Sequence, residues 1–250
     1  MKKQFEELTK GRLMQVIYEP RGRAREYAEL ALNIYTGCSH GCKYCYAPSC
    51  LFKSKEVFHG NVTERKDLLK KLSKDLETME QAKDKRLVLF CFTTDPYTGG
   101  ENQLTRAVIE AFNAHGINFQ VLTKGGGKAS RDFDLYKAGD KFATTLTFLD
   151  EAKSLEIEPK AALPADRIAT IKKAHELGIE TWVSFEPVLD PEEVYQLFEK
   201  TYKFVDLYKV GKVSNYPVNI DWKKFGHTII SMMEEKSKKY YIKKDLKRCL

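Results

Sequence analysis

The chain has 250 residues, 42% of them hydrophobic, and a formal net charge of +7, enough apolar content to bury one substantial core in a single domain. No apolar run approaches the roughly 18 residues of a membrane span, and the opening MKKQFEELTK lacks the apolar centre of a signal peptide, so we expect a cytoplasmic chain with no membrane contact. Six cysteines, three of them in one short loop, argue against a disulfide framework and for metal chemistry in a reducing compartment.

Residues 1–29 read as an N-terminal arm. Its arginines at alternate positions, Arg21, Arg23 and Arg25, suit bidentate contacts to phosphate or carboxylate, although an exposed loop has the same composition. Residues 29–36 read as a first strand. It runs into Cys38, Cys42 and Cys45, spaced C-x3-C-x2-C with Gly37 and Gly41 between them, so one loop aims three thiols at a common centre. Structural zinc usually takes four ligands, whereas a cubane iron-sulfur cluster takes one thiolate per iron; three cysteines would leave one iron open, as in a catalytic site. His40, inside the loop, is either a partner of that centre or a solvent-facing residue. Cys50 follows five residues after Cys45 and is open to three readings: a fourth ligand, a hydrogen donor facing substrate, or a small buried hydrophobe.

Beyond the loop, helical and strand periods alternate. Residues 63–80 place Leu68, Leu69, Leu72, Leu76 and Met79 at helical spacing, and 86–92 form an apolar strand-like run. Helices are then predicted at 103–115, 130–138, from Pro164 to Leu177, 192–201 and 222–235, with strands at 118–123, 142–147, 180–185 and 205–210. Six strand and helix units imply a parallel α/β sheet with right-handed crossovers, whose reactive groups gather at the C-terminal ends of the strands. Residues 30–235 would form this body. The remaining 236–250 carry seven Lys or Arg against one Asp, a net +6 that reads as a basic C-terminal tail, either solvated or able to hold a nucleic acid.

Three phrases, NIYTGCSHGCKYCYAPS, FTTDPYTGG and TWVSFEPVL, carry a family resemblance. Cys38, Cys42, Tyr44 and Cys45 fit the C-x3-C-x-aromatic-C pattern of the radical S-adenosylmethionine (SAM) superfamily, and the three phrases together resemble its spore photoproduct lyase-like branch. The resemblance implies a partial (β/α)6 barrel and a [4Fe-4S] cluster on Cys38, Cys42 and Cys45. It further implies SAM on the open iron, an electron donor such as flavodoxin or ferredoxin, and a 5'-deoxyadenosyl radical that abstracts a substrate hydrogen, in a lyase or transferase reaction.

Each strand end then offers candidates for SAM or substrate. Gly99, Gly100 and Glu101 match a GGE-like segment that lines the methionyl ammonium in many such enzymes; Asp95 is a turn-former or a contact to ribose or substrate. Lys124 could pair with a carboxylate or substrate anion, Thr145 could reach the ribose, and Arg167 the SAM carboxylate. Ser184 and Glu186 share one strand face on the adenosyl or substrate side, while Lys209, Lys212, Ser214, Asn215 and Tyr216 could close the far side of the pocket. A monomer is expected. Substrate stays open between a nucleic acid or nucleotide, a peptide or small metabolite, and, in place of catalysis, a metal-binding module.

Overall fold

The computed structural model describes residues 14–214 and 216–250. Ten strands occur in it: β1 (Ile17–Tyr18), β2 (Leu30–Leu32), β3 (Tyr35–Thr36), β4 (Thr63–Glu64), β5 (Val88–Phe90), β6 (Phe119–Thr123), β7 (Lys141–Thr145), β8 (Glu180–Val188), β9 (Leu207–Lys212) and β10 (Lys239–Ile242). Eight of them form one sheet in the order β1-β2-β5-β6-β7-β8-β9-β10, parallel throughout except for the β1–β2 pair. The two ends of the sheet do not pair with each other, so it is open rather than closed.

Strand alternation divides the sheet into two faces. On the outer face Val88, Phe90, Phe119, Val121, Phe142, Val183, Phe185, Tyr208 and Val210 are buried beneath the helices. The helices answer with apolar stripes at three- and four-residue spacing: Leu68, Leu72, Leu76 and Met79 in Leu68–Gln81, Val108, Ile109 and Phe112 in Gln103–Ala114, and Val194, Leu197 and Phe198 in Pro191–Thr201. This is the parallel α/β sheet that the alternation predicts, in the partial barrel form that the resemblance implies. No helix among the described residues is long and apolar enough to cross a membrane.

Four segments differ from expectation. The predicted first strand is broken, because Asn33 turns out of the sheet and its Oδ1 accepts from the N–H groups of Phe92 and Thr93, leaving β3 to pair with β4. That pairing also takes residues 63–64 from the predicted helix, which begins at Leu68 instead. Residues 126–135 form 3-10 turns rather than the expected helix at 130–138, consistent with the entropic cost of the glycines at its start. Residues 236–250, read as a tail, contain β10 and a short helix, Lys244–Lys247, and β10 adds a seventh parallel strand beside β9.

The inner face carries a small apolar cluster of its own. Leu89, Ala143 and Trp182 pack there with Tyr27 and Ala28, and Lys209 lies among them, its ammonium 4.6 Å from the Trp182 ring centre and donating to the carbonyl oxygen of Tyr27 at 2.8 Å. Burial, with Lys243 and Lys141 nearby, lowers its pKa from 10.5 to about 8. Below pH 8 the folded chain confines a charge that the unfolded chain hydrates, so this residue costs stability; the cost fades as pH rises from about 8 to about 10.5. Lys209→Met should therefore stabilise the fold near neutral pH, by at most about 3 kcal/mol, and should flatten the rise in urea midpoint between pH 8 and pH 10.

Candidate active site

The cysteine loop lies between β3 and the short helix Ala47–Cys50, and three other segments grip it. From the 58–61 side, Phe58 O accepts from Cys38 N at 3.3 Å and His59 Nδ1 lies 2.7 Å from Cys38 O. From the β5 exit, Thr94 Oγ1 donates to Gly37 O, Thr98 Oγ1 accepts from Ser39 N at 2.7 Å, and Gly99 N donates to Ser39 Oγ at 2.7 Å. From the 157–160 side, Ile157 O accepts from Lys43 N at 2.9 Å, and Lys160 N donates to His40 O at 3.1 Å. Gly37 makes this grip possible. Its φ is +85°, and a Cβ there would stand 2.3 Å from Asn61 O and 2.7 Å from Phe58 O.

Two buried carboxylates brace the loop. Asp95 Oδ1 accepts from Tyr97 N and Thr123 Oγ1, at 2.8 and 2.6 Å, and Oδ2 from Lys124 N at 2.8 Å, with His40 Nε2 3.2 Å away. Burial pushes its pKa up, but His40 and these donors outweigh that and hold it at about 2. Glu158 is the second brace. It accepts from the Tyr44 hydroxyl and, at 3.1 Å, from Thr147 Oγ1, and its Oε2 lies 2.7 Å from Arg167 NH2. Here too burial opposes the charge, and Arg167 and Lys124 nevertheless lower the pKa.

A cavity of about 450 Å³ opens beside the loop at the C-terminal strand ends. Of the sequence candidates, Tyr44, Cys50, Asp95, Lys124, Thr145, Ser184, Glu186, Lys212 and Ser214 line it. Arg167 does not. The expectation that it reaches SAM is corrected by its commitments: the guanidinium is spent on Glu158, Thr145 O and Ala162 O, and its side chain is 1% exposed. Gly99, Gly100 and Glu101 lie outside the lining and on the surface, with Gly99 against Ser39. Lys209 is committed below, Tyr216 is not in the lining, and Asn215 lies outside the described residues.

Two lining residues, Tyr27 and Lys243, carried no signal in the sequence, and Arg21 and Arg23 reach the lining from the predicted arm. The Tyr27 hydroxyl donates to Glu186 and lies 2.8 Å from Ser184 Oγ, while Lys243, its side chain 3% exposed, donates to the same Glu186 oxygen. Arg23 NH2 is 3.7 Å from Glu186 Oε1, and its Nε is 2.9 Å from Asp245 Oδ2. Cys91, read as a lone cysteine, is buried in the cavity wall. The cavity thus has a loop end, with Tyr44, Asp95 and Lys124, and a far end with Arg21, Arg23, Glu186, Lys212 and Lys243.

The donor set fits an iron-sulfur cluster. Cys42 is buried and Cys38 and Cys45 half-buried on one pinned loop; burial raises all three thiol pKa values, Cys42 to about 12, so metal binding would supply the thiolates. Among the described residues no three His, Cys, Asp or Glu side chains converge on a single-ion site.

Comparison with known proteins agrees with that donor set. The family model described as "Radical SAM superfamily" matches residues 32–205. The chain belongs to the radical SAM superfamily. Among its relatives, the uncharacterized protein ORF301 of Acidianus two-tailed virus is 29% identical over 174 residues, 66% of this chain and 57% of that protein. In fold it is similar to a spore photoproduct lyase mutant with bound AdoMet and dinucleoside spore photoproduct, at TM-score 0.71 and 13% identity over 93% of this chain and 80% of that one. SuiB of Streptococcus suis bound to S-adenosylmethionine gives TM-score 0.64 at 13% identity, over 85% of this chain and 50% of that one. The chain therefore spans little more than half of ORF301 and half of SuiB. Superfamily membership implies SAM and an iron-sulfur cluster as cofactors and an enzymatic role.

Gly37→Ala should leave the far-ultraviolet circular dichroism unchanged while anaerobic reconstitution yields background iron and no absorbance near 400 nm. Full iron in that variant would mean that the loop does not need its left-handed residue.

Proposed function

We propose that this chain reductively cleaves SAM and passes the resulting radical to a nucleic acid or nucleotide held at the far end of the cavity. The observation that carries this reading is the continuity of one cavity from the cysteine loop to a cluster of four cations, Arg21, Arg23, Lys212 and Lys243, of which Lys243 is paired with Glu186 and Arg23 with Asp245. When bound, a [4Fe-4S] cluster with SAM on its open iron supplies one electron and, from SAM, a 5'-deoxyadenosyl radical able to take a hydrogen atom from carbon.

The chain's own residues do the rest. Cys38, Cys42 and Cys45 would hold the cluster, and the contacts to Thr94, Thr98 and Glu158 fix the loop beside the cavity that Tyr44 lines. Lys124 stands beside the Tyr44 ring, 5.6 Å from its centre, where it can pair with the SAM carboxylate. Thr145 and Ser184 offer hydroxyls midway along the wall. Glu186 is neutralised by Lys243 and hydrogen-bonded by Tyr27, so it presents an oriented acceptor for a ribose or base N–H rather than a net negative charge. At the far end no hydrogen bond or ion pair occupies Arg21 among the described residues, leaving its guanidinium free for phosphate.

Spore photoproduct lyase, with its dinucleoside photoproduct, supports the same substrate class at the level of fold. A DNA-repair or nucleotide-modifying lyase is the specific form that we favour, with flavodoxin or ferredoxin as the electron source.

The test is anaerobic incubation of reconstituted protein with dithionite, SAM and substrates deuterated in the sugar or base. Transfer of deuterium into 5'-deoxyadenosine from a nucleotide is expected, and transfer only from peptides or small metabolites would refute the substrate class. In parallel, Arg21→Ala should reduce the slope of log affinity against log salt for oligonucleotides by about one.

A further inference from the structure

We infer that Phe52 is a base-stacking platform at the mouth of the cavity, and that the substrate is an unpaired stretch of a nucleic acid strand rather than a free nucleotide. The inference rests on the reading that the cavity receives a nucleotide. After Cys45 the chain makes one helical turn, Ala47–Cys50, and stops. At the stop Lys53 N donates to Pro48 O at 2.9 Å, and Phe52 N to Ser49 O at 3.3 Å. These are the paired bonds of a Schellman cap, whose left-handed residue is usually glycine. Phe52 occupies that position, at φ +53°.

A bulky side chain is disfavoured in that conformation. Among the described residues four other non-glycine residues have positive φ, and all of them, Asp67, Lys83, Asn102 and Ser237, are polar. Phe52 is the exception, and nothing in the chain compensates it: the residue is 99% exposed, so its ring is left in water. Strain held at a surface position where glycine or asparagine would be relaxed points to a contact made outside the chain.

Its position says which contact. Tyr46 and Cys50, at the two ends of the same helical turn, line the cavity, and both are exposed, so this turn forms part of the cavity's rim. Two residues span at most about 7 Å, which keeps Phe52 beside that rim. Lys53, the next residue, is exposed, and no ion pair occupies its ammonium among the described residues. An exposed aromatic face next to a free cation is the combination that holds single strands, with the ring against a base and the cation on a phosphate. A nucleotide that enters the cavity from a strand leaves its neighbour at the rim, where Phe52 can stack on it. In a duplex the base faces are covered by one another, so the strand must be unpaired there.

The experiment uses the reconstituted full-length chain with SAM under anaerobic conditions. The probe is a short single-stranded oligothymidylate carrying one 2-aminopurine, whose fluorescence falls when its base stacks. The unmodified chain should bind it with quenching. Phe52→Ala and Phe52→Gly should weaken binding about tenfold or more and abolish the quenching. Phe52→Tyr should retain both, whereas Phe52→Leu, apolar but without a π-face, should lose both. Phe52→Gly should also have a higher urea midpoint than Phe52→Ala, because only glycine is relaxed at this φ. Unmodified affinity in the alanine and glycine variants would overturn the inference. So would a leucine variant equal to the tyrosine one, which would make the ring a plain apolar contact such as a protein partner offers, or a glycine midpoint no higher than that of alanine. If no oligonucleotide binds and no nucleotide passes deuterium to 5'-deoxyadenosine, the nucleic-acid reading falls and the platform with it. Deuterium transfer from a free nucleotide without oligonucleotide binding would sink the platform alone.

Discussion

One buried carboxylate fixes the relation between the loop and the sheet. Asp95 receives N–H and O–H donors from Tyr97, Thr123 and Lys124, at the ends of β5 and β6, and His40 of the cysteine loop stands 3.2 Å from it. A carboxylate out of water is tolerated only where donors replace its hydration. Here they do so with surplus, which is why its pKa falls to about 2 despite burial. The loop and two strand ends therefore cannot move independently, and the walls of the cavity inherit their spacing from this one side chain.

Glu158 gives the loop a matching support on its opposite flank, and the pair explains why a loop with two glycines holds its shape. Asp95 grips the first half through His40, and Glu158 grips the second through Tyr44. Arg167 stabilises the second grip: without its guanidinium, a fully buried glutamate would lose its ion pair and keep Lys124 alone as a nearby cation. Its burial also removes it from direct contact with a bound ligand, so a residue that chemical type alone nominates for binding acts through Glu158 and Tyr44 instead.

The local parts of this arrangement were legible in the sequence, and the remote parts were not. Three cysteines within eight residues announce themselves by spacing, and the alternation of apolar runs with helical stripes fixes a parallel sheet whose C-terminal ends carry the loop and the DPY segment. Glu158, Tyr27 and Lys243 gave no such notice, because their partners are 114, 159 and 57 residues away and no local period reflects those contacts. The glycines at 125–127 lead into 3-10 turns in place of the expected helix, and Gly127 N donates to Asp166, a contact 39 residues away that no local period reflects. In residues 236–250 the charge count overshadowed the four-residue strand. Lysines flanking a short edge strand are a common device for protecting it from unwanted pairing, and they give it the composition of a solvated tail.

The placement of β10 has a consequence for the chemistry of the cavity. Glu186 projects from β8 into an apolar and aromatic wall with 14% of its side chain exposed, and Tyr27 alone would leave that carboxylate poorly compensated. Lys243, the residue directly after β10, supplies the missing charge, and it reaches Glu186 only because Gly211 leaves room: a Cβ there would meet Glu186 Cδ at 2.8 Å and Lys243 Cδ at 2.9 Å. Pairing of β10 with β9 thus sets the electrostatic sign of the far end of the cavity. With Lys243 in place Glu186 is balanced, Arg23 is met by Asp245, and the remaining positive charge comes from Arg21 and Lys212. Remove the strand and the same wall would carry a desolvated anion, repelling the phosphate that those cations are positioned to hold.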